Sequence, residues 1–408
     1  MAKENKSVKN FPNLRFPGFD GQWEEKKLGD VATFTKGKGI SKNEIDENGK
    51  TECIRYGELY TYYEEVISEI KSKTNTDISS LVFSEANDVI IPASGETQID
   101  IATASCVLKS GVALGGDLNI IKTKNNGVFL SYYLNSKKKL EIAKLSQGIS
   151  VVHLYSSQLA LLNLKLPQLD EQNKLADFLS HLNSRIQTQK KIIEQLKTLM
   201  KANRKKLLSQ KLRFKDEQGN YFSDWDLTEL KNVCFIIGGG TPDTQKSEFW
   251  NGNIQWFTPT EIKSNFAFKS ERTISELGLK NSSAKILPQG SILLTTRATI
   301  GEVAIAQEEC TTNQGFQSLI VKENCNNVFL FHWIKENKFE LIKRANGSTF
   351  PEISKSEIEL IKILLPSIKE QTKIANYLSS IQEKIETEKQ ILEKLELQKK
   401  FFLANLFV

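Results

Sequence analysis

The chain has 408 residues, enough for two or three domains that each bury a core of their own. Its hydrophobic fraction of 39% and charged fraction of 25% are typical of a soluble protein, and no run of about 18 apolar residues is present that could span a membrane. The net charge of +6 suits a nucleic-acid partner, although many proteins that bind no nucleic acid are equally basic.

The N-terminus is basic and is not followed by an apolar segment, so we interpret residues 1–10 as a disordered lead-in rather than a secretory signal. The five cysteines are odd in number and form no Cys-x-x-Cys pair. This pattern is typical of a reduced, cytoplasmic protein without structural zinc.

Four segments follow along the chain. Residues 11–165 are rich in Gly, Thr, Asn and short β-branched runs, which predicts strands joined by turns, with a helix near 128–144. A long helix is predicted within residues 166–211, starting just after a proline. Residues 212–364 have the composition of the first segment, and residues 365–408 predict a second long helix.

The second half of the chain repeats the first at an offset of about 199 residues. The clearest copy is the motif Leu-Pro-x-x-x-Glu-Gln-x-Lys followed by (Leu/Ile)-Ala-x-(aromatic)-Leu, which begins at Leu166 and again at Leu365. Smaller matches keep the same order: Trp23 with Trp225, and Leu14-Arg15-Phe16 with Leu212-Arg213-Phe214.

Both predicted helices carry apolar residues at alternating steps of four and three, with eight of ten positions apolar in each. The positions are Leu175, Leu179, Leu182, Ile186, Gln189, Ile193, Leu196, Met200, Asn203 and Leu207, then Ile374, Leu378, Ile381, Ile385, Glu388, Leu392, Leu395, Lys399, Phe402 and Leu406. This narrow seam favours a coiled coil of helices ~55–60 Å long, although packing of each helix on its own domain stays open. The repeat predicts an antiparallel pair, with the C-terminus beside the N-terminal segment.

The motif that opens both helices resembles the signature of the specificity subunit of type I restriction-modification systems. Loop motifs agree with this resemblance. Gly240-Thr241-Pro242, Leu294–Gly301 and Asn313–Phe316 resemble one type of target recognition domain, and Pro92–Thr97 with Gly115-Gly116-Asp117 resembles another. The resemblance implies an α/β (α+β) fold class: two mixed α/β target recognition domains separated by two long helices that form an antiparallel coiled coil, with a pseudo-two-fold internal repeat.

The resemblance also implies a function. Each domain would read one half of a bipartite double-stranded DNA target, and the coiled coil would set the gap between the halves. Two modification (adenine methyltransferase) subunits would dock on the helices and restriction (motor-nuclease) subunits would join them, so that the chain directs both methylation and restriction. S-adenosylmethionine, ATP and Mg²⁺ would be bound by those partners, and the chain itself would be non-catalytic.

Candidate base contacts are polar side chains in predicted loops, because Arg and Lys match guanine whereas Asn and Gln match adenine. They are Lys36, Lys38, Arg55, Tyr56, Ser94, Thr97 and Gln98 in the first domain, and Gln255, Trp256, Thr258, Thr296, Arg297, Thr299 and Gln314 in the second. Aligning the repeats pairs Ser94 with Thr296 and Gly95 with Arg297, so we expect two unlike half-sites. A basic stripe at 190–215 adds candidate phosphate contacts, chiefly Lys201, Lys205 and Lys206.

Two other functions stay open at this point. Asp243, Glu261 and Lys263 fit the loose PD…ExK pattern of metal-dependent nucleases, in which acidic side chains hold Mg²⁺ and the lysine stabilises developing charge. The aligned stretch Thr35 to Gly39 of the first repeat lacks the aspartate. The other alternative is a scaffold that binds no DNA.

Overall fold

A computed structural model describes residues 10–148, 151–297, 299–347 and 351–408. The chain divides into two compact units, of which the first comprises Met1–Lys191 with Gln390–Val408 and the second comprises Ile192–Lys389. Each unit therefore combines a globular domain with segments of both long helices. The predicted lead-in lies, except for Asn10, outside the described residues.

The first unit contains short strands and helices. Its strands are β1 (Glu24–Lys27), β2 (Ala32–Lys36), β3 (Thr51–Ile54), β4 (Val66–Ile67), β5 (Ser72–Thr74), β6 (Asp88–Pro92), β7 (Ser94–Gly95), β8 (Ser105–Val107), β9 (Ala113–Leu114), β10 (Leu118–Thr123), β11 (Val152–His153) and β12 (Asn163–Leu166). Its helices are α1 (Leu28–Val31), α2 (Glu58–Thr61), α3 (Gln98–Ile101), α4 (Gly127–Tyr133), α5 (Lys139–Leu145), α6 (Ser156–Leu159) and the first part of α7 (Leu169–Leu208). A π-helical turn at Leu134–Lys138 joins α4 to α5, which confirms the helix predicted near 128–144.

The second unit has the same kinds of element. Its helices are α8 (Leu230–Val233), α9 (Glu276–Lys280), α10 (Asn327–Glu336), α11 (Lys338–Lys343), α12 (Lys355–Glu359) and the first part of α13 (Ile368–Asn405). Its strands are β13 (Asp226–Glu229), β14 (Cys234–Gly238), β15 (Trp250–Phe257), β16 (Phe266–Ala267), β17 (Arg272–Ile274), β18 (Ile292–Leu294), β19 (Val303–Ala306), β20 (Cys310–Thr312), β21 (Gln317–Val321) and β22 (Lys362–Leu365).

The two units share one sheet topology. The main sheet has the order β2-β10-β6-β8-β4 in the first unit and β14-β21-β18-β19-β16 in the second. Each unit also has a three-stranded sheet, β5-β3-β9 and β17-β15-β20, and a terminal pair, β1-β12 and β13-β22. Even the parallel pairings correspond, since β4 with β8 matches β16 with β19 and β3 with β9 matches β15 with β20. The predicted internal repeat is therefore confirmed at the level of the fold.

The Glu-Gln pair of the repeated motif clamps the start of each long helix. Glu171 accepts hydrogen bonds from the Arg15 guanidinium at 2.8 and 2.6 Å. Glu370 accepts the equivalent bonds from Arg213 at 3.1 and 2.9 Å. Both carboxylates are almost fully buried, and charge-assisted pairs of this kind hold their geometry more strongly than neutral hydrogen bonds.

The neighbouring glutamine ties the same helix to the domain. Gln172 donates to the Pro167 carbonyl at 2.9 Å and accepts from the Asn126 amide at 3.0 Å. The Asn126 side chain in turn caps α4 by accepting from the Phe129 amide at 2.9 Å. Gln371 makes the equivalent bonds in the second unit, both at 2.8 Å. The motif thus fixes how each helix leaves its domain.

The two long helices pair antiparallel through the predicted seam. In the first unit Phe178 packs edge-on against Phe402 with ring centroids 4.9 Å apart, and Lys190 lies 3.3 Å from Glu396. Residues farther along α7 therefore contact residues nearer the start of α13, so the two helices run in opposite directions. In the second unit, Asn203 donates to the Tyr377 hydroxyl at 2.7 Å. Most seam positions are buried, including the polar Gln189 and Glu388, as expected for a helix–helix interface.

The C-terminal end of α13 lies beside the N-terminal segment in the first unit, where the Leu14 amide donates to the Asn405 carbonyl at 3.0 Å. The Leu212 amide makes the matching bond to the Lys206 carbonyl at 3.1 Å in the second unit. The predicted proximity of the two chain ends is therefore confirmed. All five cysteines are free and buried. Among the described residues, no helix has the length and apolarity needed to cross a membrane.

Candidate nucleic-acid interface

Several loops of the first unit meet at one edge of its main sheet. β2 ends at Lys36 opposite Asn119 at the start of β10, and Asn119 in turn pairs with Ile91 near the end of β6. The turn after β2 approaches so closely that a Cβ on Gly37 would lie 2.0 Å from the Gly115 carbonyl oxygen, so only glycine fits there. We define the first loop cluster as residues 36–40, 55–60, 93–98 and 115–117.

Residues 55–60 lie beside the loop that follows β6. Burial raises the pKa of the Tyr60 hydroxyl, and Tyr56, Glu96 and Asp100 raise this pKa further, whereas the Arg55 guanidinium lowers it. The Gly115 amide donates to the Ile54 carbonyl at 2.9 Å, and the Ala93 amide donates to the Asp117 carbonyl at 2.7 Å. The loop of Arg55 and Tyr56 and the loop that leads to Thr97 and Gln98 thus both meet the turn at 115–117.

The predicted base contacts of the first unit differ in exposure. Lys36, Lys38, Thr97 and Gln98 are exposed, and Arg55 and Tyr56 are half-buried. Thr97 caps α3 by accepting from the Asp100 amide at 3.1 Å. Ser94 is buried in a strand pair with His153. The cluster therefore offers two exposed lysines and a half-buried arginine.

The second unit has an equivalent cluster, which we define as residues 238–241, 258–261, 295–297, 299–301 and 313–316. The Thr296 amide donates to the Gly315 carbonyl at 2.8 Å, and the Thr241 hydroxyl donates to the Gln314 side chain. Gly239 takes the place of Gly37, since a Cβ there would lie 2.0 Å from the Asn313 carbonyl oxygen. The same close approach thus occurs at both clusters.

Arg297, Thr299 and Gln314 are exposed in the second loop cluster. The Arg297 side chain is 48% exposed, and its Nε lies 2.8 Å from Glu352 Oε1. Glu352 was not among the predicted site residues, because its pairing with Arg297 joins loops that are distant in sequence. In the sequence, Glu352 is marked only by its position 199 residues after His153, which equals the offset between the two repeats.

Three predicted contacts of the second unit make hydrogen bonds that support the fold around the loops. Trp256 is buried and donates through Nε1 to the Gly240 carbonyl at 2.8 Å. Thr296 is fully buried and donates to the Gly315 carbonyl at 3.1 Å. The Gln255 side chain accepts from the amide of Ser270 at 2.7 Å. Because Trp256 and Thr296 are buried and their polar atoms are bonded inside the fold, we do not propose them as base contacts. Gln255 is half-buried and stays a candidate.

The register of a strand pair corrects the alignment of the repeats. Ser94 bridges His153 in the first unit, and Arg297 bridges Glu352 in the second. His153 and Glu352 are one repeat offset apart, so the counterpart of Arg297 is Ser94 and not Gly95. The predicted pairing of Ser94 with Thr296 is therefore wrong by one residue. The conclusion that the two clusters differ at this place remains.

The basic stripe at residues 190–215 is partly neutralised within the chain. Ion pairs join Lys190 to Glu396, Lys197 to Glu194, Arg204 to Glu336 and Arg213 to Glu370. Lys201, Lys205 and Lys206 are exposed, and they alternate with the buried seam positions Asn203 and Leu207. These three lysines therefore face away from the helix partner and present their charge to solvent.

The geometry does not support the nuclease alternative. Glu261 Oε2 accepts from the amide and the hydroxyl of Thr258 at 2.6 and 2.7 Å, and Oε1 accepts from a further backbone amide at 2.7 Å. Glu58 holds the amide of Arg55 in the same way in the first unit, which identifies Glu261 as a turn-stabilising residue. Asp243 Oδ1 accepts from a backbone amide of its own turn, and Lys263 is exposed. No group of acidic, His or Cys side chains suited to a metal ion occurs in the described part of the chain.

Comparison with known proteins identifies the family. Residues 21–198 and 222–397 each match the type I restriction modification DNA specificity domain. The chain belongs to the type I restriction-modification DNA specificity family. The two loop clusters accordingly lie in two target recognition domains, one in each matched region.

Relatives agree with this assignment. The chain is 41% identical over 196 residues to the specificity subunit of the type I restriction enzyme MjaIX of Methanocaldococcus jannaschii, a match that covers 45% of each protein. It is 26% identical over 416 residues to the putative MjaX specificity subunit of the same organism, covering 96% of this chain and 94% of that protein. The crystal structure of a type I S subunit from M. genitalium has the same fold, with a TM-score of 0.64 at 16% identity over 98% of this chain and 99% of that one.

Proposed function

We propose that the chain reads DNA for a type I restriction-modification complex, with each target recognition domain contacting one half of a bipartite target and the paired helices setting the gap. The observation that carries this proposal is one framework used twice with unlike side chains at equivalent loop positions. Exposed Arg297 takes the place of buried Ser94, and Thr258 takes the place of Arg55. Because residue type determines which base edge is matched, unlike clusters suit unlike half-sites.

The remaining candidates divide into two roles. Lys36, Lys38, Arg55, Tyr56, Thr97 and Gln98 in the first unit, and Gln255, Thr258, Arg297, Thr299 and Gln314 in the second, are proposed to contact bases or the adjoining backbone. Lys201, Lys205 and Lys206 are proposed to contact phosphates, because exposed lysines on a helix neutralise the duplex without reading its sequence.

Equivalent exposed apolar side chains support two equivalent docking sites for modification subunits. They occur as repeat-related pairs, Leu140 with Phe339, Leu161 with Leu360, and Leu169 with Ile368. Exposed apolar groups that recur at the same places mark surfaces for partners. In the proposed complex, restriction subunits join the modification subunits, and S-adenosylmethionine, ATP and Mg²⁺ bind to these partners. This chain contributes no catalytic residue and acts in the cytoplasm, where its DNA target lies.

Methylation sequencing tests the proposal. The chain is expressed together with the modification subunit of its system, and methylated adenines are located across the host genome. We expect one bipartite motif with two unlike halves and a single gap length. Methylation at a continuous motif, or none with an active modification subunit, would contradict the proposal.

The purified chain supplies a second test. Alone, it is expected neither to methylate nor to cleave plasmid DNA. Mg²⁺-dependent nicking that is lost in Asp243→Ala would instead support the nuclease alternative.

A further inference from the structure

Two acidic residues at the edge of the first recognition domain lie against both long helices. Glu64 and Glu65 directly precede β4, and their backbone is fixed to the domain by the hydroxyl of Ser105, which donates to the Glu64 carbonyl at 2.8 Å, and that of Ser131, which donates to the Glu65 carbonyl at 2.7 Å. Because the domain holds the backbone of both residues, the contacts that their side chains make with the helices fix the position of the domain on the helices.

Lys399 is the cation that these carboxylates share. Its Nζ donates to Glu65 Oε2 and to Asn183 Oδ1, both at 2.9 Å, and lies 3.8 Å from Glu64 Oε2. The other oxygen of Glu64 accepts from Gln187 Nε2 at 2.7 Å. Lys399 belongs to α13, whereas Asn183 and Gln187 belong to α7. One ammonium group thus connects the domain to both helices at once.

The surroundings of this contact are partly desolvated. The side chains of Lys399 and Glu65 are only 17% and 14% exposed, and the ammonium lies 5.7 Å from the centre of the Tyr132 ring. Burial strongly raises the pKa of the Tyr132 hydroxyl, and Glu65 and Glu64 raise this pKa further. Removing the ammonium would leave Glu65 without this counter-charge, and an uncompensated buried charge is strongly unfavourable. Glu64 is less dependent on Lys399, because its side chain is 36% exposed and lies 4.0 Å from Lys190.

The second unit builds the equivalent contact from other groups. Met200 takes the place of Lys399 at the repeat offset and is part of the apolar core. Asn265, which directly precedes β16, donates to Gln382 Oε1 at 2.7 Å and accepts from Lys335 Nζ at 2.5 Å. If the first recognition domain bound at the equivalent position of the second unit, the carboxylates of Glu64 and Glu65 would face Met200 instead of Lys399.

We propose that Lys399 is a positioning residue that fixes the first recognition domain on the helix pair, and that the carboxylates of Glu64 and Glu65 make the domain specific to this contact. The proposal rests on the proposed function, because the gap between the two half-sites of a bipartite target measures the position of the domain. A domain that shifts on the helices changes the distance at which its half-site is read.

The test uses the full chain with its modification subunit and the variant Lys399→Met, which introduces the residue found at the equivalent place of the second unit. Methylation sequencing of the host genome reports the motif and the distribution of gap lengths together. We expect the bases read to stay the same, while methylation at gaps one base pair longer or shorter rises about tenfold relative to the preferred gap, as for a loss of about 1.4 kcal/mol in discrimination. Lys399→Arg keeps the charge and should restore the single gap.

Lys394→Met is the matched control, because Lys394 is an exposed lysine of the same helix. This variant should keep both the gap and the thermal midpoint of the unaltered chain. If Lys399→Met fails to fold, Glu65→Gln removes one half of the ion pair with little change of shape and is expected to broaden the gap in the same way.

The outcomes separate the two proposals. A lower thermal midpoint with an unchanged gap in Lys399→Met would overturn the positioning role, because it would show a purely structural contact. An unaltered chain that already methylates at many gaps would overturn the proposed function itself.

Discussion

Replacing Arg297 by Ala separates DNA recognition from folding. The Arg297 side chain is 48% exposed and its partner Glu352 is 40% exposed, so their ion pair contributes only about 0–1 kcal/mol to the free energy of unfolding. If the guanidinium makes a bidentate contact with guanine, its loss costs about 1–3 kcal/mol at one base pair. We therefore expect a variant with nearly unchanged stability and a defect confined to the second half-site.

In terms of affinity, a loss of about 1–3 kcal/mol corresponds to a roughly 5- to 150-fold weaker preference for the correct base pair. The assay is competition binding with duplexes in which each base pair of the motif found by methylation sequencing is changed in turn. Arg297→Ala should flatten the response at one position of the second half-site and leave every position of the first half-site unchanged.

Glu352→Ala is the matched control, since it removes the partner but keeps the guanidinium. In the free chain Glu352 competes with DNA for Arg297, because their atoms lie 2.8 Å apart. This variant should bind the target as well as the unaltered chain or better, with the same base preference. Unchanged discrimination at all positions in Arg297→Ala would refute the assignment of this residue as a base contact.

Three further predictions concern the helix, acid stability and the chain ends. Replacing Lys201, Lys205 and Lys206 together by Gln should weaken binding to all duplexes alike. The slope of log affinity against log salt should become less steep by about 0.9 per lost phosphate contact. A loss of affinity that depends on the DNA sequence would contradict the role of these lysines as phosphate contacts. Burial lowers the pKa of His332 to about 3 from its ordinary value of 6.5. The folded state therefore excludes a proton that the unfolded state accepts, so stability falls as the pH drops below 6.5, by about 2 kcal/mol near pH 5, and urea unfolding of His332→Gln should lack this loss. A circular permutant beginning at Lys211, with the old ends joined by a short linker, should keep its circular dichroism spectrum and methylated motif, because the two end segments already share a hydrogen bond; a changed motif would count against it.

The long helices could be predicted from the sequence because their signal is local and repeated. Apolar residues at steps of four and three specify a helix face without knowledge of its partner, and the offset of the repeat supplied the second copy. The interruption of the seam at Lys399 could not be interpreted in this way. Its partner Glu65 is 334 residues away in sequence, and nothing near either residue indicates the contact.

The loops were less predictable, because their conformation depends on neighbours distant in the chain. Strands β4, β7 and β9 have only two residues each, too few for an alternating pattern to show which side chains face inward. Polar character alone suggested that Trp256 and Thr296 face DNA, whereas contacts with separate loops bury them. The register error at Ser94 has the same origin, since its partner His153 lies 59 residues away in sequence.

The repeated clamp explains how one chain can hold two different readers. Glu171 and Glu370 bind their arginines in the same way, so both helices leave their domains with one geometry. The loop clusters lie at the edge of each main sheet and take no part in these bonds, and their exposed side chains can therefore differ at little cost to the helix start. The polar contacts at Lys399 depart from this rule, because they are not repeated. We infer that the framework keeps the two halves alike, the loops make them read differently, and the Lys399 contact keeps the first recognition domain in its own place.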